Sequence, residues 1–350
     1  MRPQGFDKDF VVIGENLHAT RVLLRPGKHV VTAPSGEEAI RYTSTSRETH
    51  YLVIPEEFKR RQDYQEGRVK HVAVAVRDAM SGAEPSASDG KEYLRTLAER
   101  QITTGADFLD INVDEVSLRH HEQVAAMCWL VRFIEGLSPI PLSIDSSNID
   151  TIRAGVEACE GKAGPPMLNS ASLERLEALD LAKERNLPVI VTAAGDSGMP
   201  QDAEQRIANA SRIIEAALAK SIPVERLYVD TLVFPISVDI QFVNHYLEAT
   251  RRLRAKYGGK IHLTGGLSNV SFGLPCRRLV NEVFINLAVE AGVDSGIVDS
   301  VANDLNQIFV ADKTSKPYQL TRDMLLGLDR NCKNFLRAYR KGELEPVIAR

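Results

Sequence analysis

The chain has only four cysteines, Cys128, Cys159, Cys276 and Cys332, and no two of them form a CxxC pair. That scarcity excludes a spaced disulfide framework and a thiolate zinc site, and it fits a reducing, cytoplasmic setting. No apolar run approaches the roughly 20 residues that a membrane-spanning helix needs. The N-terminal Met-Arg-Pro-Gln-Gly-Phe-Asp lacks an apolar h-region, so an unprocessed, soluble chain with no membrane partner is expected. Excess positive charge is missing too: 43 Lys and Arg stand against 47 Asp and Glu over 350 residues, for a net charge of -4. Without a basic stripe, nucleic acid is not an expected partner. A phosphate-cradling GxGxxG is also absent. Gly14-Glu15-Asn16-Leu17 follows the first strand candidate instead, which argues against a doubly wound dinucleotide-binding sheet.

What is present is a rhythm. Short strand-like runs alternate with longer helical patterns, as in a parallel sheet covered by helices. The strand candidates are 10–14, 108–113, 141–145, 167–169, 189–193, 227–230, 261–265 and 296–299. Helical patterns cover 114–136, 148–160, 172–185, 202–220, 238–257, 277–291 and 303–309. Eight strands with intervening helices predict an α/β fold, a (β/α)8 TIM barrel, as a single domain over 1–350. Two segments break the period. Residues 17–89 form a long insertion after strand 1, with His18, His29, His50, His71 and an alternating Val72-Ala73-Val74-Ala75-Val76. At the other end lies a helical extension over 313–350. Within it Met324, Leu325, Leu328, Phe335, Leu336 and Tyr339 fall at near-helical spacing between Thr321 and Arg340, predicting one amphipathic C-terminal helix.

Several strand candidates share an ending. Ile144-Asp145-Ser146-Ser147-Asn148, Met167-Leu168-Asn169-Ser170, Leu227-Tyr228-Val229-Asp230 and Gly265-Gly266-Leu267-Ser268-Asn269 each pass from an apolar run to a carboxylate or carboxamide. Barrel chemistry sits at strand C-terminal ends. Two carboxylates and two carboxamides suit a 2-amino-4-oxopyrimidine edge, whose exocyclic amine and ring N–H form a donor pair for a carboxylate. A pterin or a guanine satisfies that set, whereas a phosphate calls for Lys, Arg or a glycine nest. Singly, each Asp or Asn reads equally well as a helix cap or Asx turn. Elsewhere the bland readings prevail: His120-His121 as a solvated helix start, Trp129 with Met127 and Leu130 as core, and Arg251-Arg252-x-Arg254 as a wet helix face.

The runs LDINVD (109–114), IDSSN (144–148), MLNSAS (167–172), LYVD (227–230) and GLSNVSFGLPCRRLVNEVF (266–284) resemble, in order and spacing, the pterin-binding methyltetrahydrofolate:corrinoid methyltransferases. The resemblance covers about 9–16 and 90–305 and implies a methyltransferase that moves a methyl group between N5 of tetrahydrofolate and the cobalt of a corrinoid. It implies that Asp145, Asn169 and Asp230 bind the pterin and that Asn269 lies beside N5, so that Asn269 and Asp230 are the catalytic pair. Ser268, Arg277, Glu15 and Asn112 join the implied substrate-binding set, with Asp110 on a matching strand end. No Asp-x-His-x-x-Gly motif appears, so the corrinoid (cobalamin) is expected on a separate corrinoid-binding protein, with no metal bound by this chain. Related barrels pair, which implies a homodimer. The loop Thr192-Ala193-Ala194-Gly195-Asp196-Ser197-Gly198-Met199-Pro200 departs from the family pattern of Asn and Lys before the turn. Dihydropteroate synthase, which shares the barrel and pterin site, is the nearest competing enzyme. A non-catalytic pterin- or corrinoid-binding module is the alternative of a different class.

Overall fold

A computed structural model describes residues 9–196 and 198–344. Gly14–Asn169 form one compact unit, and the described residues on either side of it form the other. Eight strands make one sheet: β1 (Val11–His18), β2 (Phe108–Asn112), β3 (Leu142–Asp145), β4 (Met167–Ala171), β5 (Val189–Thr192), β6 (Leu227–Asp230), β7 (His262–Thr264) and β8 (Ser295–Val298). Their order is β7-β6-β5-β4-β3-β2-β1-β8. The two ends of that order meet, because the Ile297 N–H donates to the Gly265 carbonyl at 2.9 Å and Gly266 bridges Ile297 in parallel. The fold is a (β/α)8 barrel, and all eight expected strands are found.

Sequence explains the strands directly. Val-Ile-Val-Thr in β5 and Leu-Tyr-Val-Asp in β6 are near-continuous apolar runs, the pattern of parallel strands covered on both faces. Between the strands run α3 (His120–Glu135), α4 (Ile149–Ala158), α5 (Glu177–Arg185), α6 (Ala203–Ala219), α7 (Phe242–Tyr257) and α8 (Arg277–Glu290), and α9 (Leu305–Phe309) follows β8. Asn148, Asp202 and Asp304 cap α4, α6 and α9 by accepting backbone N–H groups. Gly155 lets α4 lie close on β3, since a Cβ there would stand 2.6 Å from Ile144 Cγ2 and 2.8 Å from Met127 Cγ. No helix among the described residues is long and apolar enough to cross a membrane.

Several boundaries differ from the sequence reading. β1 continues past Gly14 to His18. α3 starts at His120 rather than Asp114, because the Asp114 carboxylate accepts from Ser146 Oγ at 2.6 Å and the Ser147 N–H at 2.8 Å, holding 114–119 as a loop. The start at His120-His121 is exposed, as expected. The C-terminal stretch is two helices rather than one, α10 (Lys316–Leu325) and α11 (Lys333–Arg340). Asn331 and Cys332 take left-handed φ values of 54° and 53°, and the Asp329 carboxylate accepts the N–H groups of Asn334 and Phe335 to start the second helix. Trp129 is half-buried and stacked on Phe133 at 5.1 Å. Arg254 is not on a wet face. It donates to the carbonyls of Gly258, Ile261 and Gly292 and pairs with Asp294 at 3.2 Å.

The insertion has its own structure. Val30–Thr32, Glu38–Thr43 and Thr49–Val53 form an antiparallel sheet, and Leu23–Leu24 pairs with Arg68–Val69. The alternating valines and alanines are helical, within α1 (His71–Ser81), and all five are buried. α1 packs closely on α2 (Ser86–Thr103): a Cβ on Gly90 would lie 2.6 Å from the Ala75 carbonyl oxygen.

Candidate active site

Within Gly14–Asn169, parallel register sets the geometry. Asn112 pairs with Asp145, and Asp145 with Asn169, so the last residues of β2 and β3 and the middle residue of β4 stand at one level. Asn112 Nδ2 donates to Asp145 Oδ2 at 2.8 Å, while its Oδ1 accepts the Asp114 N–H at 3.0 Å, which fixes the amide orientation. Two residues earlier on β2, the fully buried Asp110 receives Asn169 Nδ2 at 3.3 Å on both oxygens. His18, closing β1, places Nε2 2.7 Å from Asp110 Oδ2 and 4.0 Å from Asp145 Oδ2. Asp145 Oδ1 and Asn169 Oδ1 make no hydrogen bond among the described residues.

The electrostatics follow from burial and proximity. Burial opposes a charge on His18, but the carboxylates of Asp110, Asp145 and Glu15 outweigh it and raise the imidazole to about 9. Burial and the like charge of Asp110 raise Asp145 to about 7, against the pull of His18. His18, Asp110 and Asp145 offer ligand atoms within 4.8 Å of one another. The imidazole is already engaged by Asp110, so this cluster is first an ion-paired network. Glu15, half-buried on β1, binds Arg21 at 3.1 Å.

In the other unit, Asp230 ends β6. Its Oδ1 accepts the Leu232 N–H at 2.7 Å, and Leu232 holds a left-handed φ of 67°. Burial raises Asp230 to about 6, although the Leu232 bond and the Arg206 charge oppose this. Arg206 is fully buried; it donates to the Thr231 carbonyl at 3.1 Å and lies 4.8 Å from the Phe234 ring centroid. It pins the loop that follows Asp230. The two glycines after β7 serve side chains of the chain itself. A Cβ on Gly265 would meet Tyr246 Oη at 3.1 Å and Asp230 Oδ1 at 3.4 Å, and one on Gly266 would stand 2.8 Å from Asn269 Nδ2. Asn269 sits in the 3-10 turn Leu267–Ser271, half-buried, and its carboxamide makes no hydrogen bond among the described residues. Ser268 and Arg277 are part of the turn's bracing: Arg277 donates to the Ser268 carbonyl at 3.2 Å and to Ser271 Oγ at 3.0 Å. In the departing loop, Gly195 and Gly198 form an antiparallel bridge and Asp196 pairs with Arg212 at 2.8 Å.

Two residues that position candidate site groups are not singled out by the sequence. His18 falls in the insertion by sequence, yet it stands two residues past Asn16 in an unbroken strand, and that period of two is the signal that marks it. Arg206 gave no signal, because one arginine on an amphipathic helix looks solvated until its surroundings are known.

Comparison with known proteins identifies the family. Residues 86–299 match the family described as pterin binding enzyme. The methylcorrinoid:tetrahydrofolate methyltransferase of Eubacterium limosum is 25% identical over 290 residues, spanning 79% of this chain and 100% of that protein. The methionine synthase of Mycobacterium leprae is 28% identical over 217 residues, 58% of this chain and 17% of that protein. Dihydropteroate synthase from Stenotrophomonas maltophilia, solved with active site-bound imidazole, superposes with a TM-score of 0.53 at 20% identity, covering 63% of this chain and 87% of that one. The Xanthomonas albilineans enzyme in complex with 7,8-dihydropteroate gives 0.51 at 21% identity, over 66% and 87%. These last two likenesses are of fold. With well over half its length matched, and with carboxylates and carboxamides on its strand ends, the chain belongs to the pterin binding enzyme family.

Proposed function

We propose that this chain is a methyltransferase that moves a methyl group, in either direction, between N5 of tetrahydrofolate and the cobalt of a corrinoid carried by a separate protein. Family membership supports a pterin ligand, and the Eubacterium limosum relative, matched over its whole length, supports the reaction. The observation that carries the reading is the level rim of Asn112, Asp145 and Asn169, in which Asp145 Oδ1 and Asn169 Oδ1 remain open to a donor pair. We assign Asp145, Asn169 and Asp230 to the aminopyrimidine edge and Asn269 to N5, with Asn112 and Glu15 steadying the rim and Ser268 and Arg277 the turn.

The chemistry sets the demands. When the methyl leaves, the C–N5 bond breaks and its electron pair stays on nitrogen, so N5 must gain a proton or a strong hydrogen bond. In the reverse direction N5 supplies the pair and then loses the proton. The unclaimed Asn269 carboxamide can donate or accept at N5 as that charge changes. Asp230, raised to about 6, is placed on the scale to hold or release a proton near neutrality. The reduced cobalt of the partner supplies the nucleophile.

Spectroscopy of a corrinoid protein mixed with the chain should show cobalt methylation states that change only when the folate is present. No spectral change with either folate form would refute the reading. Asp145→Asn should weaken folate binding about tenfold by calorimetry, because a donor pair loses its anionic acceptor. Asn269→Ala should slow turnover more than it weakens binding; equal losses would count against a role at N5.

A further inference from the structure

The insertion and α2 together line an open cavity of about 740 Å³. The antiparallel sheet supplies Arg41, Tyr42 and Tyr51, α2 supplies Tyr93, Thr96 and Arg100, and the segment before the sheet supplies Arg21 and Lys28. Among the described residues no side chain lining it is acidic, although the chain as a whole has more Asp and Glu than Lys and Arg. Four permanent cations converge there. Arg21 is held by Glu15, and Arg100 donates to the Thr43 carbonyl, but Lys28 and Arg41 have no carboxylate partner among the described residues. A second observation points to a ligand. Thr96 is 1% exposed, yet its hydroxyl has no hydrogen-bond partner among the described residues, which is costly in a protein interior. The floor is braced: Tyr93 shares a hydrogen bond with His71 Nδ1 at 2.9 Å and meets Tyr42 edge-on at 4.7 Å.

Asn16 of β1 lines the same cavity, two residues before His18 of the carboxylate rim. Along a strand that separation is roughly 7 Å. We propose that this basic cavity is a subsite for a chain of carboxylates, namely the γ-linked polyglutamate tail of the folate whose pterin the barrel holds. The inference rests on the folate reading above. Cations on flexible stems over a tyrosine floor suit successive α-carboxylates separated by apolar linkers, with the Thr96 hydroxyl free for an amide or carboxylate oxygen.

Calorimetry on the full chain tests it, with tetrahydrofolate carrying one or five glutamates. The five-glutamate form should bind on the order of tenfold tighter. Lys28→Glu/Arg41→Glu, at two exposed positions, should abolish that preference while leaving the one-glutamate affinity unchanged. Thr96→Val, close in shape to the native residue, should reduce the preference with no loss of thermal stability. Inorganic phosphate at millimolar levels should not erase the preference; if it does, the cavity is a general anion site and the tail assignment falls. Equal affinity for both forms, or a preference that survives the double reversal, overturns the proposal and leaves the folate reading standing. Binding of neither form removes both.

Discussion

His18 illustrates how one residue sets the properties of its neighbours. Its imidazolium, held by Asp110 at 2.7 Å, is the nearest positive charge to Asp145 and the chief influence favouring that carboxylate's ionised form. Because the proposed role of Asp145 is to accept hydrogen bonds, folate affinity should climb with pH across about 7, as the acid ionises. His18→Gln removes the charge, so Asp145 should stay protonated to higher pH and the binding profile should move to the alkaline side. Calorimetry from about pH 6 to 9 reads this directly, and an unmoved profile would show that Asp145 takes its charge from elsewhere. Stability carries a second signature. His18 titrates at about 9 when folded against 6.5 when unfolded, so its contribution is complete below 6.5 and is lost as pH rises through 9. The melting temperature of the native protein should therefore drop over that interval, and that of His18→Gln should drop less.

At the scale of elements, glycines decide how closely segments approach. Gly266→Ala would place a methyl 2.8 Å from Asn269 Nδ2, the free end of a side chain that can swing away. Turnover should fall with little change in melting temperature, and a large loss of stability would refute this account. Gly155→Ala meets Ile144 and Met127 in packed core instead. It should destabilise by about 1–3 kcal/mol in denaturant titration and leave folate affinity intact. Strands were legible because parallel barrel strands are short apolar runs between helical patterns. Helix starts were not legible where a side chain took over the backbone: Asp114 holds a loop open through Ser146 and Ser147, and Asp329 starts α11 after two left-handed residues. Such capping is made by partners distant in sequence or by a few unusual φ angles, which periodicity does not register.

For the whole molecule, the junction of β7 and β8 depends on Asp294. Its Oδ1 accepts the Leu263 N–H at 2.8 Å and lies 3.2 Å from the Arg254 guanidinium, and His262 Nδ1 stands 3.2 Å from its other oxygen. Burial opposes this carboxylate's charge, but His262, Arg254 and the Leu263 N–H outweigh it and hold its pKa below the ordinary value. Removing it leaves the Leu263 N–H without its acceptor and the half-buried Arg254 guanidinium without its counter-charge, so Asp294→Ala should cost about 1–3 kcal/mol. With a lowered folded pKa, the stabilisation is present above the ordinary carboxylate range and disappears as pH falls beneath it. Acid denaturation should accordingly begin at higher pH in the variant, with no effect on folate affinity at neutrality.

The sequence by itself determined the eight-strand rhythm and the carboxylates Asp145 and Asp230 that close β3 and β6, because both are local: a short apolar run, then one Asp. It also carried the family resemblance that the match over 86–299 bears out. Only the tertiary structure decided which side chains share a hydrogen bond. Register aligns Asn112, Asp145 and Asn169 across three strands, and it brings His18 to Asp110 over a separation of 92 residues. It also buries the charge of Arg206 and gathers four cations around one cavity in the insertion. Charge, burial and proximity between distant residues have no period along the chain, so they exist only once the chain has folded.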